Sequence, residues 1–322
     1  MTLETLLQFF PESLRALITA TDVSDVMINA DGRVYVDRAG KLVTVPVDGI
    51  SPTELLAGVQ TIARILARDL DDKQPILNTR LPDGSRVAAV LLDGELTLTI
   101  RKFNQWYDTG ELALMGCAPG YVLSEAVEAV RRSRNILVSG GTGSGKTTLA
   151  KALLDHVPGT ERLIIIENPR EMAVSQPNAV RLEAREEAPG RPAVTVAQLL
   201  IAALRHRPDR IVIGEVREPS AAYELLRALN TGHAGSISTI HADSALDALY
   251  RLSDLALTSH GNLETSFVRK QVARAIHYVV HIERGSDGNR RVTELLRVKG
   301  YGAIAEFEVE KIYENEEELC LS

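Results

Sequence analysis

The chain has 322 residues, a length that exceeds one ordinary domain and fits two. Its apolar fraction of 45% and charged fraction of 25% are those of globular proteins that bury a sizeable core. The formal net charge is −7 and neither half is strongly basic, which argues against tight, non-specific binding to duplex nucleic acid.

The cysteines and the apolar runs narrow the possible class of protein further. Cys117 and Cys320 are the only cysteines, which excludes a disulfide framework and favours a reduced, cytoplasmic compartment. The longest apolar runs, such as Leu199–Leu204, are far shorter than the roughly 20 residues of a membrane-spanning helix, so we expect no transmembrane segment. The first residues include Glu4 and no basic segment, so we expect no signal peptide.

The first hundred residues predict a domain of mixed helices and strands. Apolar residues at helical spacing predict helices at Thr2–Phe10 and Glu12–Ala20. Two interpretations are open: the helices lie on a membrane or on a partner protein, or they pack on their own domain. Packing is favoured, because Arg15 is the single basic residue available to anionic lipid. Short strands are predicted at Val26–Ile28, Val34–Val36 and Lys41–Val45. A helix is predicted at Ser51–Asp69, and a hairpin of two strands at Val87–Leu92 and Leu96–Ile100.

Glycines and prolines without periodicity follow, and they indicate a linker. We therefore predict an N-terminal α+β domain at 1–104, a linker at 105–120 and a second domain at 121–322. The last stretch, from Glu306 to Ser322, holds seven glutamates against one lysine. Beyond Tyr313 it is typical of a solvated, mobile chain end.

Four apolar runs alternate with helices in the second domain, a pattern that predicts a buried parallel sheet. The runs are Asn135–Ser139, Leu163–Ile166, Arg210–Ile213 and Ser236–Ile240. In such sheets ligands bind beyond the carboxyl ends of the strands. We therefore expect the glycine-rich loop, Glu167, Glu215 and His241, which follow these runs, to converge on one site.

The glycine-rich loop from Gly140 to Thr147 fits the pattern G-x-x-x-x-G-K-[ST], after a strand and at the start of a helix. In that pattern backbone N–H groups surround phosphates, the lysine reaches the β- and γ-phosphates, and the hydroxyl binds Mg²⁺. We therefore predict ATP and Mg²⁺ as cofactors. The residues expected to bind the nucleotide are Gly140, Gly141, Thr142, Gly143, Ser144, Gly145, Lys146, Thr147 and Thr148.

Two carboxylates at the strand ends are candidates for catalysis. Glu215 follows the third run and is expected to hold Mg²⁺ with Thr147, partly through water, or to polarise the attacking water. Glu167 follows the second run, and two carboxylates at one metal–phosphate site can divide these roles.

Histidines and arginines near the last two runs complete the candidate set. His241 is a candidate sensor of the γ-phosphate, whereas His233 is a candidate only as part of the same segment. The two histidines have no third ligand nearby and are not a zinc pair. The arginines at 205, 207 and 210 are typical of solvated helix ends, and Arg217 is the one expected to face the site.

Together these residues resemble the traffic ATPases of type II and type IV secretion, in particular their conjugative-transfer, TrbB-like branch. The similarity covers nearly the whole chain and is densest from 135 to 243. Four ordered segments carry it: the loop Gly140–Thr147, the acidic segment 164–171, the strand segment 207–217, and the histidine segment Thr231–Ala242.

The resemblance implies a RecA-like motor domain, a hexameric ring and ATP bound between the two domains of a subunit. It also implies peripheral attachment to the cytoplasmic face of the inner membrane through integral partner proteins of the secretion machinery. Arg86 and Arg101 match arginines that the family directs to the phosphates, and Arg80 is a weaker match. Cation clamps on a transferring phosphoryl group are physically reasonable.

Two departures from the family pattern stand in the sequence. Asn168 replaces the usual aspartate beside Glu167, which leaves Glu167 as the expected water-polarising base. Glu218 follows Arg217 where glycine or aspartate is usual. The four-cysteine zinc module of many type II secretion ATPases is absent, which favours the conjugative branch.

The sequence therefore predicts a motor that hydrolyses ATP for conjugative DNA transfer, type IV secretion and the associated pilus assembly. One alternative is an assembly ATPase of type IV pili or type II secretion. A second is a nucleotide-switched scaffold with little turnover, against which the two carboxylates argue. A third, a RecA-like nucleic-acid motor, is disfavoured by the acidic charge balance.

Overall fold

The computed structural model describes residues 2–38, 41–46, 51–102, 106–187, 191–259, 263–302 and 306–315. The predicted domain boundary at 104–105 and the acidic end from 316 lie outside the described residues. The chain divides into two compact units. These are Met1–Gln105 with Ser286–Asn289, and Trp106–Gly285 with Arg290–Ser322.

The first unit contains three helices and an antiparallel sheet with the strand order β3-β2-β1-β6-β5-β4. The helices are α1 (Leu3–Leu7), α2 (Glu12–Thr19) and α3 (Pro52–Ile65). The strands are β1 (Val23–Ile28), β2 (Val34–Arg38), β3 (Lys41–Val45), β4 (Ile76–Arg80), β5 (Arg86–Leu92) and β6 (Glu95–Arg101). Strands β5 and β6 alternate buried and exposed side chains, as expected for a sheet with one covered face.

The helices α1 and α2 use their apolar residues in the core of their own unit. Leu6 and Leu14 are fully buried, and Leu7 and Leu17 lie in the same cluster with the strand residues. The structure thus agrees with packing on the domain rather than with a lipid-facing role for these side chains.

The second unit contains an eight-stranded sheet with helices on its faces. Its helices are α4 (Thr109–Leu114), α5 (Gly120–Arg131), α6 (Lys146–Leu154), α7 (Val196–Ala203), α8 (Pro219–Leu229), α9 (Ala245–Ser259) and α10 (Thr265–Ala275). Its strands are β7 (Ile136–Ser139), β8 (Leu163–Glu167), β9 (Ala179–Glu183), β10 (Arg210–Ile213), β11 (Ile237–Ile240), β12 (Tyr278–Arg284), β13 (Arg290–Tyr301) and β14 (Phe307–Glu314).

The strand order is β14-β13-β12-β7-β11-β10-β8-β9. The strands from β12 to β9 pair in parallel, whereas β13 and β14 extend the sheet as antiparallel strands. The predicted parallel sheet thus forms the centre, and two antiparallel strands that were not predicted extend one edge. The four predicted apolar runs became β7, β8, β10 and β11, and every residue of these strands is buried.

Two stretches differ from their sequence-based interpretation. Residues 109–114, within the predicted linker, form α4, which Asp108 opens with a capping box to Glu111. Arg210 is fully buried rather than solvated: its guanidinium bonds to Glu161 and to the carbonyl of Val130, at 2.5 and 2.7 Å. A buried guanidinium needs this full set of acceptors, which the sequence does not display.

Candidate nucleotide-binding site

The phosphate-binding loop leaves the sheet at the carboxyl end of β7 and enters α6. Gly140 has φ +153°, and a Cβ there would lie 2.1 Å from the carbonyl oxygen of Ile282 on β12. Gly145 has φ +100° and caps the amino end of α6. Both positions therefore require glycine, the first for close backbone approach and the second for its left-handed conformation.

Lys146 lies almost buried inside this loop. Its ammonium donates to the carbonyl oxygens of Gly140 and Gly141, at 2.9 and 2.6 Å, and lies 3.3 Å from Nδ1 of His241. Burial lowers the pKa of Lys146, and the nearby Glu215 carboxylate opposes this shift. The loop thus holds a cation on its inner side, where a phosphate would accept its hydrogen bonds.

His241 connects Lys146 to Glu215. Its Nε2 lies 2.8 Å from Oε1 of Glu215, on the side opposite to the Lys146 contact. A neutral ring suits both neighbours, because Nδ1 can accept from the ammonium while Nε2 lies close to the carboxylate oxygen. Burial and the Lys146 charge lower the pKa of His241, although Glu215 acts in the opposite direction, so the neutral form dominates at neutral pH.

Glu215 also pairs with Arg217, two residues further along the chain. Hydrogen bonding to Glu215 raises the pKa of Arg217, and the guanidinium remains more than half exposed. The structure therefore brings Lys146, His241, Glu215 and Arg217 together in one polar network at the carboxyl ends of β7, β10 and β11.

Glu167 lies in a different environment from Glu215. It is the last residue of β8 and is 2% exposed, and its Oε1 accepts the N–H groups of Glu171 and Met172 at 2.7 and 2.8 Å. Its Oε2 lies 3.4 Å from the Arg181 guanidinium. Burial raises the pKa of Glu167, which these donors partly offset. Its carboxylate thus orders the segment after β8, a role that the sequence did not indicate.

His233 is separated from this network by the length of β11. It precedes that strand, its Nδ1 is 3.2 Å from the carbonyl oxygen of Ala228, and His241 follows the opposite end of the strand. The structure therefore does not place His233 beside the loop of its own chain.

In the first unit, the two predicted arginines are direct neighbours. Arg86 on β5 is opposite Arg101 on β6, and Arg80 on β4 is opposite Arg86 in the next pair. Arg101 also pairs with Asp25, at 2.7 Å. The three arginines therefore follow one another across three adjacent strands and concentrate positive charge there.

Oxygen donors suited to Mg²⁺ follow the loop and β10. Thr147, in the first turn of α6, offers a hydroxyl, and Glu215 offers a carboxylate that is 18% exposed. Hydroxyl, carboxylate and water oxygens are the ligands that Mg²⁺ prefers, so this donor set fits the ion.

A buried strand that opens into a glycine loop, with a lysine, a carboxylate and a histidine at the strand ends, defines a P-loop nucleotide-binding protein. A family model described as "T2SSE: Type II/IV secretion system protein" matches residues 11–285. The chain belongs to this family.

Curated relatives match over most of their length. Conjugal transfer protein TrbB of Rhizobium radiobacter is 36% identical over an alignment of length 297, which covers 89% of this chain and 86% of that protein. Type IV secretion system protein VirB11 of Bartonella quintana is 31% identical over an alignment of length 324, which covers 88% of this chain and 90% of that protein.

Solved structures share the fold. The VirB11 ATPase from the Brucella suis type IV secretion system, in complex with sulphate, is 28% identical with a TM-score of 0.50. The match covers 92% of this chain and 94% of that one. The pilus retraction motor PilT with bound ADP has a TM-score of 0.65 at 22% identity, covering 95% and 85%. Within the described ranges, no helix combines the length and the apolar content needed to cross a membrane.

Proposed function

We propose that this protein is an ATP-hydrolysing motor of conjugative DNA transfer and type IV secretion. The observation that carries the proposal is the polar network in which His241 joins Lys146 of the loop to Glu215. The similarity to TrbB and VirB11 proteins over nearly the whole chain supports the biological setting.

The residues of the network divide the chemistry of phosphoryl transfer. The loop amides and Lys146 bind the phosphate groups and neutralise charge as it develops on them. Glu215 polarises the attacking water, and His241 reports on the γ-phosphate through its contact with Lys146. Mg²⁺, held by Thr147 and by Glu215 partly through water, would supply further charge neutralisation.

The proposal extends to the assembly and its location. We propose a homo-hexameric ring on the cytoplasmic face of the inner membrane, attached through integral components of the secretion machinery. The family membership supports both statements. Lipid-inserting helices are not needed for such attachment, in keeping with the use of α1 and α2 in core packing.

We further propose that Arg86 and Arg101 contribute positive charge to the ATP phosphates. Arg101→Ala should lower turnover on the order of a hundredfold, as for the loss of one preorganised donor. Thermal stability should stay close to wild type, because Arg101 is 55% exposed and Asp25 keeps the Ser24 hydroxyl as a hydrogen-bond donor. Steady-state phosphate release and a melting curve measure the two quantities.

Arg33→Ala is the matched control for this prediction. Arg33 is also an exposed arginine of the first unit, paired with Asp31 at 3.3 Å. Equal turnover in the Arg101 and Arg33 variants would remove the arginine row from the proposed mechanism.

The enzyme proposal itself is tested by phosphate release from the purified protein. We expect release to require ATP and to stop when EDTA removes divalent cations, because the oxygen donors need Mg²⁺ to engage the phosphates. Binding of ATP without any release would instead favour a nucleotide-switched scaffold.

A further inference from the structure

A chain of three side chains joins strand β12 to the start of the phosphate-binding loop. Ser139, fully buried, is the last residue of β7 and precedes Gly140. Its hydroxyl lies 2.9 Å from Nδ1 of His281, which is itself buried and directly opposite Ser139 in the parallel pairing. Nε2 of His281 lies 3.0 Å from Oε1 of Glu283.

The partners of His281 define the direction of these hydrogen bonds. Glu283 is two residues along the same strand, so its carboxylate is on the same face as the ring and can accept from Nε2–H. In a neutral ring Nδ1 is then an acceptor, and the Ser139 hydroxyl donates to it. The partly exposed Glu283 therefore holds the ring of His281, and the ring holds Ser139, the residue that precedes the loop.

This arrangement is not a hydrolytic serine triad. The Ser139 hydroxyl has no access to a substrate, because the residue is fully buried within the sheet. The serine also contacts Nδ1 and the carboxylate contacts Nε2, which reverses the connections of serine hydrolases. The three side chains are placed to fix a position rather than to attack a bond.

The position that they fix has little freedom. Gly140 packs so closely on β12 that a Cβ would lie 2.1 Å from the Ile282 carbonyl oxygen. The Gly140 carbonyl in turn accepts from the Lys146 ammonium. A shift of β12 at His281 would therefore move the first peptide of the loop and the acceptor of Lys146.

The neighbouring strand β13 contacts the middle of the loop. Nε of Arg290, the first residue of β13, donates to the carbonyl oxygen of Gly143 at 3.0 Å. A Cβ on Gly145 would lie 3.1 Å from Cδ of the same arginine. Because a trans peptide directs its C=O and N–H to opposite sides, this bond turns the N–H of Ser144 away from Arg290.

We propose that His281 and Arg290 are positioning residues of the nucleotide site, which hold the start and the middle of the phosphate-binding loop from the β12–β13 hairpin. Neither residue needs to touch the nucleotide. They keep the loop amides oriented for phosphates, so that binding does not have to order the loop first. The inference rests on the proposed binding of ATP by this loop.

The test compares nucleotide affinity with stability in three variants. His281→Val and Arg290→Met should each raise the dissociation constant for a fluorescent ADP analogue about tenfold, the effect of one lost hydrogen bond that preorganises a site, because neither new side chain can form the bond. His281→Asn, whose side-chain oxygen can still accept from Ser139, should recover part of that loss. Urea unfolding without nucleotide should be unchanged in Arg290→Met, because this side chain is exposed.

Two control variants separate positioning from general structure. Arg284→Met makes the same change at the cross-strand neighbour of Arg290. His277→Val removes a histidine before the other end of β12, where its Nδ1 accepts the N–H of Asn135. Both should bind the ADP analogue like wild type, even where His277→Val lowers stability.

The outcomes distinguish this inference from the proposal on which it rests. Failure of the unsubstituted protein to bind the ADP analogue would overturn the proposed function and the inference with it. Wild-type affinity in Arg290→Met and His281→Val, beside lost affinity in Lys146→Ala, would overturn the inference alone. If His281→Val does not fold, the affinity of Arg290→Met decides between the two outcomes.

Discussion

Replacing Lys146 with alanine should abolish phosphate release, to below about one hundredth of the wild-type rate. The ammonium is the cation that the loop encloses, held by the carbonyls of Gly140 and Gly141. Alanine supplies no cation at this position. Release of phosphate from ATP, followed continuously with a coupled assay, measures the loss.

The same variant should remain folded. Burial lowers the pKa of Lys146, so the charged ammonium costs the folded state free energy at neutral pH, and its removal relieves that cost. We therefore expect a melting temperature no lower than that of wild type. Lys151→Ala, which removes a lysine of the same helix paired with Asp155 at 2.6 Å, is the control and should keep its turnover. Retained hydrolysis in the Lys146 variant would place the active site elsewhere.

Glu215→Gln should bind ATP with an affinity within about threefold of wild type and yet lose turnover on the order of a hundredfold. Glutamine preserves the shape of the side chain but supplies no negative charge to polarise water or to hold Mg²⁺. Equilibrium binding of ATP and phosphate release, measured on the same preparation, separate the two steps. A variant that cannot bind ATP would assign Glu215 a structural role.

Glu167→Gln is the informative comparison. The Glu167 carboxylate already accepts two backbone N–H groups, and a glutamine carbonyl oxygen can accept both. Turnover should therefore fall less in this variant than in Glu215→Gln. The reverse order would assign the water-polarising role to Glu167, the role that the sequence predicts for it.

Continuous apolar strands and the glycine loop were predictable because their signals are local. The runs that became β7, β8, β10 and β11 are buried along their whole length, so most of their residues are apolar. The antiparallel strands β13 and β14 were not predicted. Register shifts interrupt the pairing of β13 with both of its neighbours, and Leu295 and Leu296 stand side by side in it, so the alternation that would indicate a strand is broken.

Contacts between residues that are far apart in the chain could not be predicted from a single sequence. Ser139 and His281 are 142 positions apart, and only the parallel pairing of their strands brings them into contact. Glu167 illustrates the same limit in a predicted residue. Its place at a strand end was predictable, whereas the backbone donors that occupy its carboxylate depend on the path of the chain after β8.

The strand order also determines when each part of the protein can fold during synthesis. All six strands of the first sheet lie within the first 101 residues, so the ribosome delivers that sheet complete at an early stage. The loop-bearing strand β7 is finished by residue 139, but its neighbours β11 and β12 end only at residues 240 and 284. At ribosomal rates this is a delay of roughly 7–30 s. During that interval β7, in which Ile136, Leu137 and Val138 are apolar, waits without its partner strands, so a chaperone that shields nascent apolar segments would have a clear target here.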